Sequence, residues 1–306
     1  MKILITGAAG FLGSALANHM VRKGHEVRGI DDLSTGNAQT IAPGVRFTHG
    51  DIMDRPKLWT LLQDVDCVFH LAARVAVQES ILYPREYNVA NVGGTVSLME
   101  AMRDVGVKRV VFTSSGAVYG AQEKQPLNEE MVPAPDSPYA VSKLSAEYYI
   151  RTIGQLWEIE TVSLRIFNAY GPGQRLPSSH PPVIPNFLRQ AVHQGTIVIH
   201  NSGHQTRDYV FLDDVVQAIA AAGTAPGIDG KTINVGSGTE TSVKELTELV
   251  KAISGSKAEV IHNPNAKGGV ERMRADISRA KKYLKYSPRT SLKEGLRLTL
   301  ERDARF

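Results

Sequence analysis

Tyr139 and Lys143 stand four residues apart in the run Ser137-Pro138-Tyr139-Ala140-Val141-Ser142-Lys143. On a helix that spacing puts both side chains on one face. A phenol with an ordinary pKa of ~10 is a poor base at neutral pH. A nearby ammonium favours the phenolate and brings its pKa toward the working range, so the pair is a candidate general base. Upstream, Ser114-Ser115 closes an apolar run. A hydroxyl at a strand end can hydrogen-bond a substrate oxygen and share its proton with a phenol.

A second pattern lies at the start of the chain. Gly7, Gly10 and Gly13 fall every third residue, directly after the apolar run Lys2–Thr6 and at the opening of the helical stretch Phe11–Arg22. Glycine lets the backbone turn tightly and approach a pyrophosphate, while the helix N-terminus turns free N–H groups and its dipole on the phosphate charge. The spacing is G-x-x-G-x-x-G rather than G-x-G-x-x-G; its place in the first strand-to-helix turn makes it informative. Asp31 ends the second strand, 31 − 13 = 18 residues past Gly13. That is where a carboxylate takes the adenosine ribose hydroxyls. Asp32 follows it, and no arginine comes after them until Arg46. A carboxylate there repels a 2′-phosphate, so NAD is expected rather than NADP. Gly50-Asp51-Ile52 follows the third strand, where an adenine contact falls.

The elements that must hold these residues alternate. Lys2–Thr6, Glu26–Ile30, Val45–Thr48, Cys67–Leu71, Val107–Thr113 and Thr161–Ile166 read as strands, and Phe11–Arg22, Tyr87–Val105 and Pro138–Gly154 as helices. This alternation predicts an α/β fold, a Rossmann-type doubly wound parallel sheet with helices on both faces. The pattern loosens after residue 167. Tyr170–Pro182 is rich in Pro and Gly and is expected as a loop; Leu212–Ala222, Ser242–Ser254 and Ser291–Arg302 are expected helices. Capping boxes open the last two, at Ser242/Glu245 and Ser291/Glu294. The expected division is a dinucleotide-binding domain over 1–167 and a smaller α/β substrate domain over 168–306, with the chain crossing between them.

Composition narrows the class further. The 306 residues are 42% hydrophobic and 22% charged, typical of soluble globular chains and unlike disordered or fibrous ones. The net charge of +4 comes without a long run of like charges, so neither a nucleic-acid tail nor a nucleic-acid partner is expected. No stretch is long and apolar enough for a membrane span. The N-terminus lacks a signal-peptide pattern, and the lone Cys67 forms no intrachain disulfide, so a cytoplasmic protein is expected. His180, His193, His200, His204 and His262 lack metal-ligand spacing, and no metal is expected. His70, at a strand end, reads as structural. Met99 and Met102 read as core or interface residues.

As a set, these runs resemble the extended short-chain dehydrogenase/reductase superfamily, and within it the NAD-dependent nucleotide-sugar epimerases. The resemblance spans nearly the whole chain. It is carried by Thr6–Gly13, Asp31–Leu33, Gly50–Ile52, His70–Ala73, Thr113–Gly120, Ser137–Lys143, Leu164–Asn168 and Gln205–Val210. It implies a cofactor site of Gly7, Gly10, Phe11, Leu12, Gly13, Asp31, Asp32, Asp51, Ile52, Leu71, Ala72, Ala73, Asn91, Ser114, Tyr139 and Lys143. It implies Tyr139, Lys143 and Ser115 as catalytic, with Tyr139 as base and Lys143 on the nicotinamide ribose. For a UDP-sugar substrate it implies Ser115, Tyr139, Asn168, Arg175, Val183, Ile184, Arg207 and Met273. Val183 and Ile184 would grip the uracil, Arg207 the pyrophosphate, and Arg175 a C6 carboxylate if the sugar is a uronate. A homodimer through the helices Tyr87–Val105 and Pro138–Gly154 is also implied.

Departures from the pattern shape the expectation. A lysine often found five residues after the His70 position is Val75 here, and a second pyrophosphate cation falls on Ala266 or, with a one-residue gap, on Lys267. Dehydratases of the superfamily carry Asp-Glu after the strand-end hydroxyl and decarboxylases a Glu; this chain has Gly116-Ala117, which transfers no proton. The expected reaction is therefore 4-epimerisation of a UDP-hexose through a 4-keto sugar, glucose and galactose ahead of their N-acetyl forms. The alternatives are a UDP-glucuronate 4-epimerase or decarboxylase and a non-catalytic NAD(H) sensor.

Overall fold

The computed structural model describes residues 1–263 and 269–306. Strands and helices alternate through β1 (Lys2–Thr6), α1 (Phe11–Arg22), β2 (Glu26–Asp31), β3 (Val45–His49), α2 (Arg55–Leu61), β4 (Cys67–His70), α3 (Val77–Leu82), α4 (Pro84–Asn88), α5 (Gly94–Val105), β5 (Arg109–Ser115), α6 (Pro138–Trp157) and β6 (Glu160–Ile166). Then come β7 (Asn168–Tyr170), α7 (Val183–Val192), β8 (Ile197–His200), β9 (Thr206–Arg207), β10 (Tyr209–Phe211), α8 (Leu212–Ala222), β11 (Lys231–Val235), β12 (Thr241–Ser242), α9 (Val243–Ser254), β13 (Val260–Asn263), α10 (Ser278–Leu284) and α11 (Leu292–Arg302).

Seven strands form one parallel sheet in the order β11-β6-β5-β4-β1-β2-β3, the doubly wound arrangement expected from the sequence. Side chains of β1 alternate between its faces, and both faces are buried. Ile3 and Ile5 join one core with Leu16 of α1 and Val216 and Ile219 of α8. Leu4 joins the other with Leu58 of α2, Leu98 and Met102 of α5, and Ile150 of α6. Helices on both sides explain why these strands are apolar throughout. Met99 and Met102 are fully buried, which assigns them to the core. A third core, with Ile184, Leu188, Phe211, Leu246 and Leu296, packs α7, α9 and α11 against β8 and β10.

Two local expectations are corrected. The stretch read as one helix over Tyr87–Val105 is interrupted: α4 ends at Asn88, a wide π-type turn covers Val89–Gly93, and α5 begins at Gly94. Such a turn inserts an extra residue in the helical path, and here it carries Asn91. The second capping box forms by half. Ser242 and Glu245 bond each other's backbone N–H, but at Ser291 only the serine half is made, because Glu294 pairs with Arg297.

Strand order reverses at β1, whose neighbours are β2 and β4. Ligands of such sheets bind where the carboxyl ends diverge. Thr6 and His70 sit opposite each other at that point. His70 is buried, bonded through Nδ1 to Thr6 Oγ1 at 2.7 Å and through Nε2 to Thr95 Oγ1 at 2.9 Å. Burial pushes its pKa down to about 3, and the Lys143 charge adds to the effect. The ring is therefore neutral and structural, as its position suggested.

A folded pKa below the unfolded value of 6.5 stabilises the fold fully above 6.5 and progressively less as pH falls toward 3. Between pH 6.5 and 5 the loss from this one group is ~2 kcal/mol. His70→Gln cannot charge, so its unfolding free energy should fall less over that interval, by about the same ~2 kcal/mol. Chemical denaturation at both pH values checks this; equal acid losses in the two proteins would refute it.

Candidate active site

The start of α6 presents the tyrosine. Ser137 is the N-cap, its hydroxyl accepting from the Ala140 N–H, and Pro138 fills the first helical position. Tyr139 follows in the first turn. Its backbone N–H, one of those a helix leaves unpaired, donates to Ser80 Oγ of α3 at 3.1 Å. The Tyr139 side chain is buried, edge-on to the Tyr87 ring at 6.5 Å between centroids. Ser115 ends β5, its Oγ accepting from the Ala117 N–H at 3.1 Å. The Ser115 hydroxyl and the Tyr139 side chain line the same cavities.

Lys143 lies one turn further along α6, fully within the protein, with its ammonium 4.2 Å from the centroid of the Phe112 ring. One more turn brings Glu147, whose carboxylate takes a two-pronged bond from Arg165 of β6 at 3.0 and 2.8 Å. Both side chains of that pair are almost fully buried. Removing either partner would strand a buried charge at a cost of ~3–5 kcal/mol. The pair thus fixes α6, and the tyrosine it carries, against the sheet.

Electrostatics here differ from the expectation of a phenol acidified by its lysine. Burial raises the Tyr139 pKa, and the opposing group is the Ser115 hydroxyl. Burial also pushes Lys143 down to about 7, against the charge of Glu147. Desolvation penalises both charged forms, and in this dry setting it outweighs spacing along the helix.

At the other end of the crevice, β1 turns into α1 through the glycines. Gly7 has φ +69°, and a Cβ on it would stand 2.7 Å from the Ala72 backbone nitrogen. A Cβ on Gly13 would collide with the Gly7 carbonyl oxygen. Only glycine fits such approaches. Gly10, the N-cap of α1, has no side chain with which to bond the helix N-terminus. Asp31 lies beside it, accepting from the Ala9 N–H at 2.9 Å and the Leu33 N–H at 2.8 Å, and burial raises its pKa.

Two cavities meet at Ser115 and Tyr139. The first, of about 410 Å³, is lined by Gly7, Gly10, Phe11, Leu12, Gly13, Asp31, Asp32, Asp51, Ile52, Leu71, Ala72, Ala73, Ser114, Tyr139 and Lys143, all named from the sequence. It fits a dinucleotide on three observations: the α1 terminus without a side-chain cap, the glycine cradle, and the buried Ser114 hydroxyl, which has no hydrogen-bond partner among the described residues. The second, of about 530 Å³, is lined by Ser115, Tyr139, Asn168, Val183, Ile184, Arg207 and Met273. Ser115 and Tyr139 belong to both.

Two named residues stand elsewhere. Asn91 lines neither cavity: its amide accepts from the Arg74 N–H at 2.8 Å and donates to the Arg74 carbonyl at 3.0 Å and to Ser142 Oγ at 2.9 Å. The π-type turn aims it at the exit of β4 rather than at the crevice. Arg175 is exposed in the Pro-rich loop and lines neither cavity. Lys267 lies outside the described residues, as does Ala266.

Other lining residues went unread. Arg74 and Glu86 face the first cavity; Asp136, Gln174 and Tyr209 face the second. Tyr209 is buried with an unpartnered hydroxyl, and burial pushes its pKa up to about 12, against the pull of Arg207. It stands two residues from Arg207, inside the Gln205–Val210 run, a signal that could have found it.

Comparison with known proteins agrees with this geometry. Residues 3–236 match the NAD dependent epimerase/dehydratase family. A protein of Mycolicibacterium smegmatis named UDP-glucose 4-epimerase is 38% identical, with 98% of each chain covered. A UDP-glucose 4-epimerase of Thermotoga maritima, solved with UDP-glucose, superposes with a TM-score of 0.94 at 34% identity, covering 98% of each chain. A UDP-glucose 4-epimerase of Thermus thermophilus, solved with NAD, gives 0.90 at 30% identity, covering 99% of this chain and 98% of that one. The chain belongs to the NAD dependent epimerase/dehydratase family.

Proposed function

We propose that this protein interconverts a UDP-hexose and its C4 epimer, with UDP-glucose and UDP-galactose as the preferred pair and NAD retained throughout. The single observation that carries this reading is the junction of the two cavities at Tyr139 and Ser115. When bound, NAD supplies a hydride acceptor and returns the hydride. Tyr139 takes the proton of the sugar 4-hydroxyl and gives it back to the 4-keto oxygen. Ser115, on the same cavity wall as the phenol, holds the same sugar oxygen. Lys143 holds the nicotinamide ribose on the cofactor side. Asp31 and Asp32 take the adenosine ribose and disfavour a 2′-phosphate. Arg207 takes the UDP phosphates, Asn168 the sugar nucleotide, Val183 and Ile184 the uracil, and Met273 bounds the sugar. Next to the strand-end Ser115, the Gly116-Ala117 pair of the second cavity offers no proton-transferring group, which favours epimerisation over dehydration or decarboxylation.

A homodimer fits the apolar outer face of α6, where Val141, Tyr148 and Tyr149 are about half exposed. No helix among the described residues is long and apolar enough to cross a membrane. A cytoplasmic setting suits the buried, free Cys67.

Tyr139→Phe is expected to keep NAD, identified by mass spectrometry of the extracted cofactor, while turnover of UDP-glucose drops about 10²–10⁴-fold. Turnover like wild type, or a preparation carrying mainly NADP, would sink this reading. For the sugar, kcat/KM is measured on UDP-glucose, UDP-N-acetylglucosamine and UDP-glucuronate in wild type and Arg175→Ala. The variant should match wild type on all three; a selective loss on UDP-glucuronate beyond about tenfold, ~1.4 kcal/mol, would instead make the uronate the substrate. Sedimentation should give twice the 33.3 kDa chain mass, and a monomer at micromolar concentration would remove the dimer.

A further inference from the structure

We propose that Arg74 is the cation that grips the dinucleotide's pyrophosphate in the first cavity, an assignment that deepens the cofactor reading above and rests on it. The described lining of that cavity carries four carboxylates, Asp31, Asp32, Asp51 and Glu86, against two cations, Arg74 and Lys143. A dinucleotide adds two phosphate charges to this negative surplus. The α1 N-terminus answers with roughly half an elementary charge, which falls short of two. Lys143 is committed elsewhere: it sits below Tyr139 on α6, against Phe112 and next to Glu147.

Arg74 has the right place. The Ala72 backbone nitrogen lies 2.7 Å from where a Gly7 Cβ would be, so the glycine turn and the exit of β4 pack closely together. Arg74 follows two residues later. Its peptide is fixed on both sides by the Asn91 amide, through its N–H and its carbonyl. The guanidinium lies 3.9 Å from Glu79 Oε1, with the Arg74 side chain 35% exposed. That separation is too long for a direct hydrogen bond. A phosphate offers a guanidinium two short charge-assisted bonds in their place. Arg74 lines the first cavity and not the second, which points to the dinucleotide's phosphates and not those of the sugar nucleotide.

The test is calorimetric titration of cofactor-stripped protein with NAD, ADP-ribose and adenosine. In Arg74→Met, affinity for NAD and for ADP-ribose should fall together, roughly 10–100-fold, while adenosine binding stays unchanged. Arg74→Lys should recover part of the loss. Arg74→Gln, which keeps hydrogen-bond donors and removes the charge, should resemble the methionine variant and covers the case in which that one does not fold. Unchanged NAD affinity in the folded variants overturns the assignment. So does an equal loss for adenosine, or a loss for NAD that spares ADP-ribose. Wild type that binds NAD but epimerises no UDP-hexose would refute the proposed reaction and leave Arg74 standing. Wild type with no affinity for NAD would overturn both.

Discussion

The close approach between the β1–α1 turn and the end of β4 is the constraint on which the rest depends. Gly7 touches the Ala72 backbone, and Gly13 sits on the Gly7 carbonyl. With any side chain at either position, α1 would have to move off the sheet. The same contact opens the crevice at the reversal of strand order, and it is locked from below by Thr6, His70 and Thr95. A helix terminus without a side-chain cap, the Asp31 carboxylate and the exit of β4 all meet there because two peptide segments come close together.

The second organising force is desolvation. Tyr139, Lys143, Glu147 and Arg165 follow one another inward from the crevice, all buried. Glu147 and Arg165 offset each other's charge. Tyr139 and Lys143 do not share such a pair, and burial pushes both toward neutrality. A bound ligand would find the Tyr139 phenol already desolvated, with Ser115 on the same cavity wall. The π-type turn serves the same region indirectly: it turns Asn91 away from the crevice to brace Arg74 and Ser142, so the cavity wall is rigid where the side chain itself does not line it.

Much of this was legible in the sequence because it depends on local rules. The glycine spacing, the carboxylate at the end of β2 and the Tyr139–Lys143 interval are short-range patterns, and their residues line one crevice as read. What escaped depends on long-range packing. The break at Val89–Gly93 leaves no mark in apolar periodicity, since a π-type turn keeps the helix direction. Arg175 carried a plausible spacing from Asn168, yet the intervening loop turns outward. The rise in the Tyr139 pKa follows from burial by Tyr87 and its neighbours, which spacing along one helix does not report. Tyr209, Asp136 and Gln174 reach the second cavity from three separate segments.

The seventh strand has a consequence for how the protein is made. β6 ends at residue 166 and its partner β11 begins at residue 231, so 231 − 166 = 65 positions separate them. At ribosomal rates of ~5–20 residues per second, the newly made β6 waits about 3–13 s for its neighbour. During that wait it is an open edge of an apolar parallel sheet, with unpaired N–H and C=O groups offered to any other chain. A nascent chain paused inside this interval could borrow the missing strand from a second copy, exchanging β11 between molecules. The segment from residue 167 to residue 230 therefore sets a time as well as a shape: the longer it takes to emerge, the longer the sheet stays unfinished.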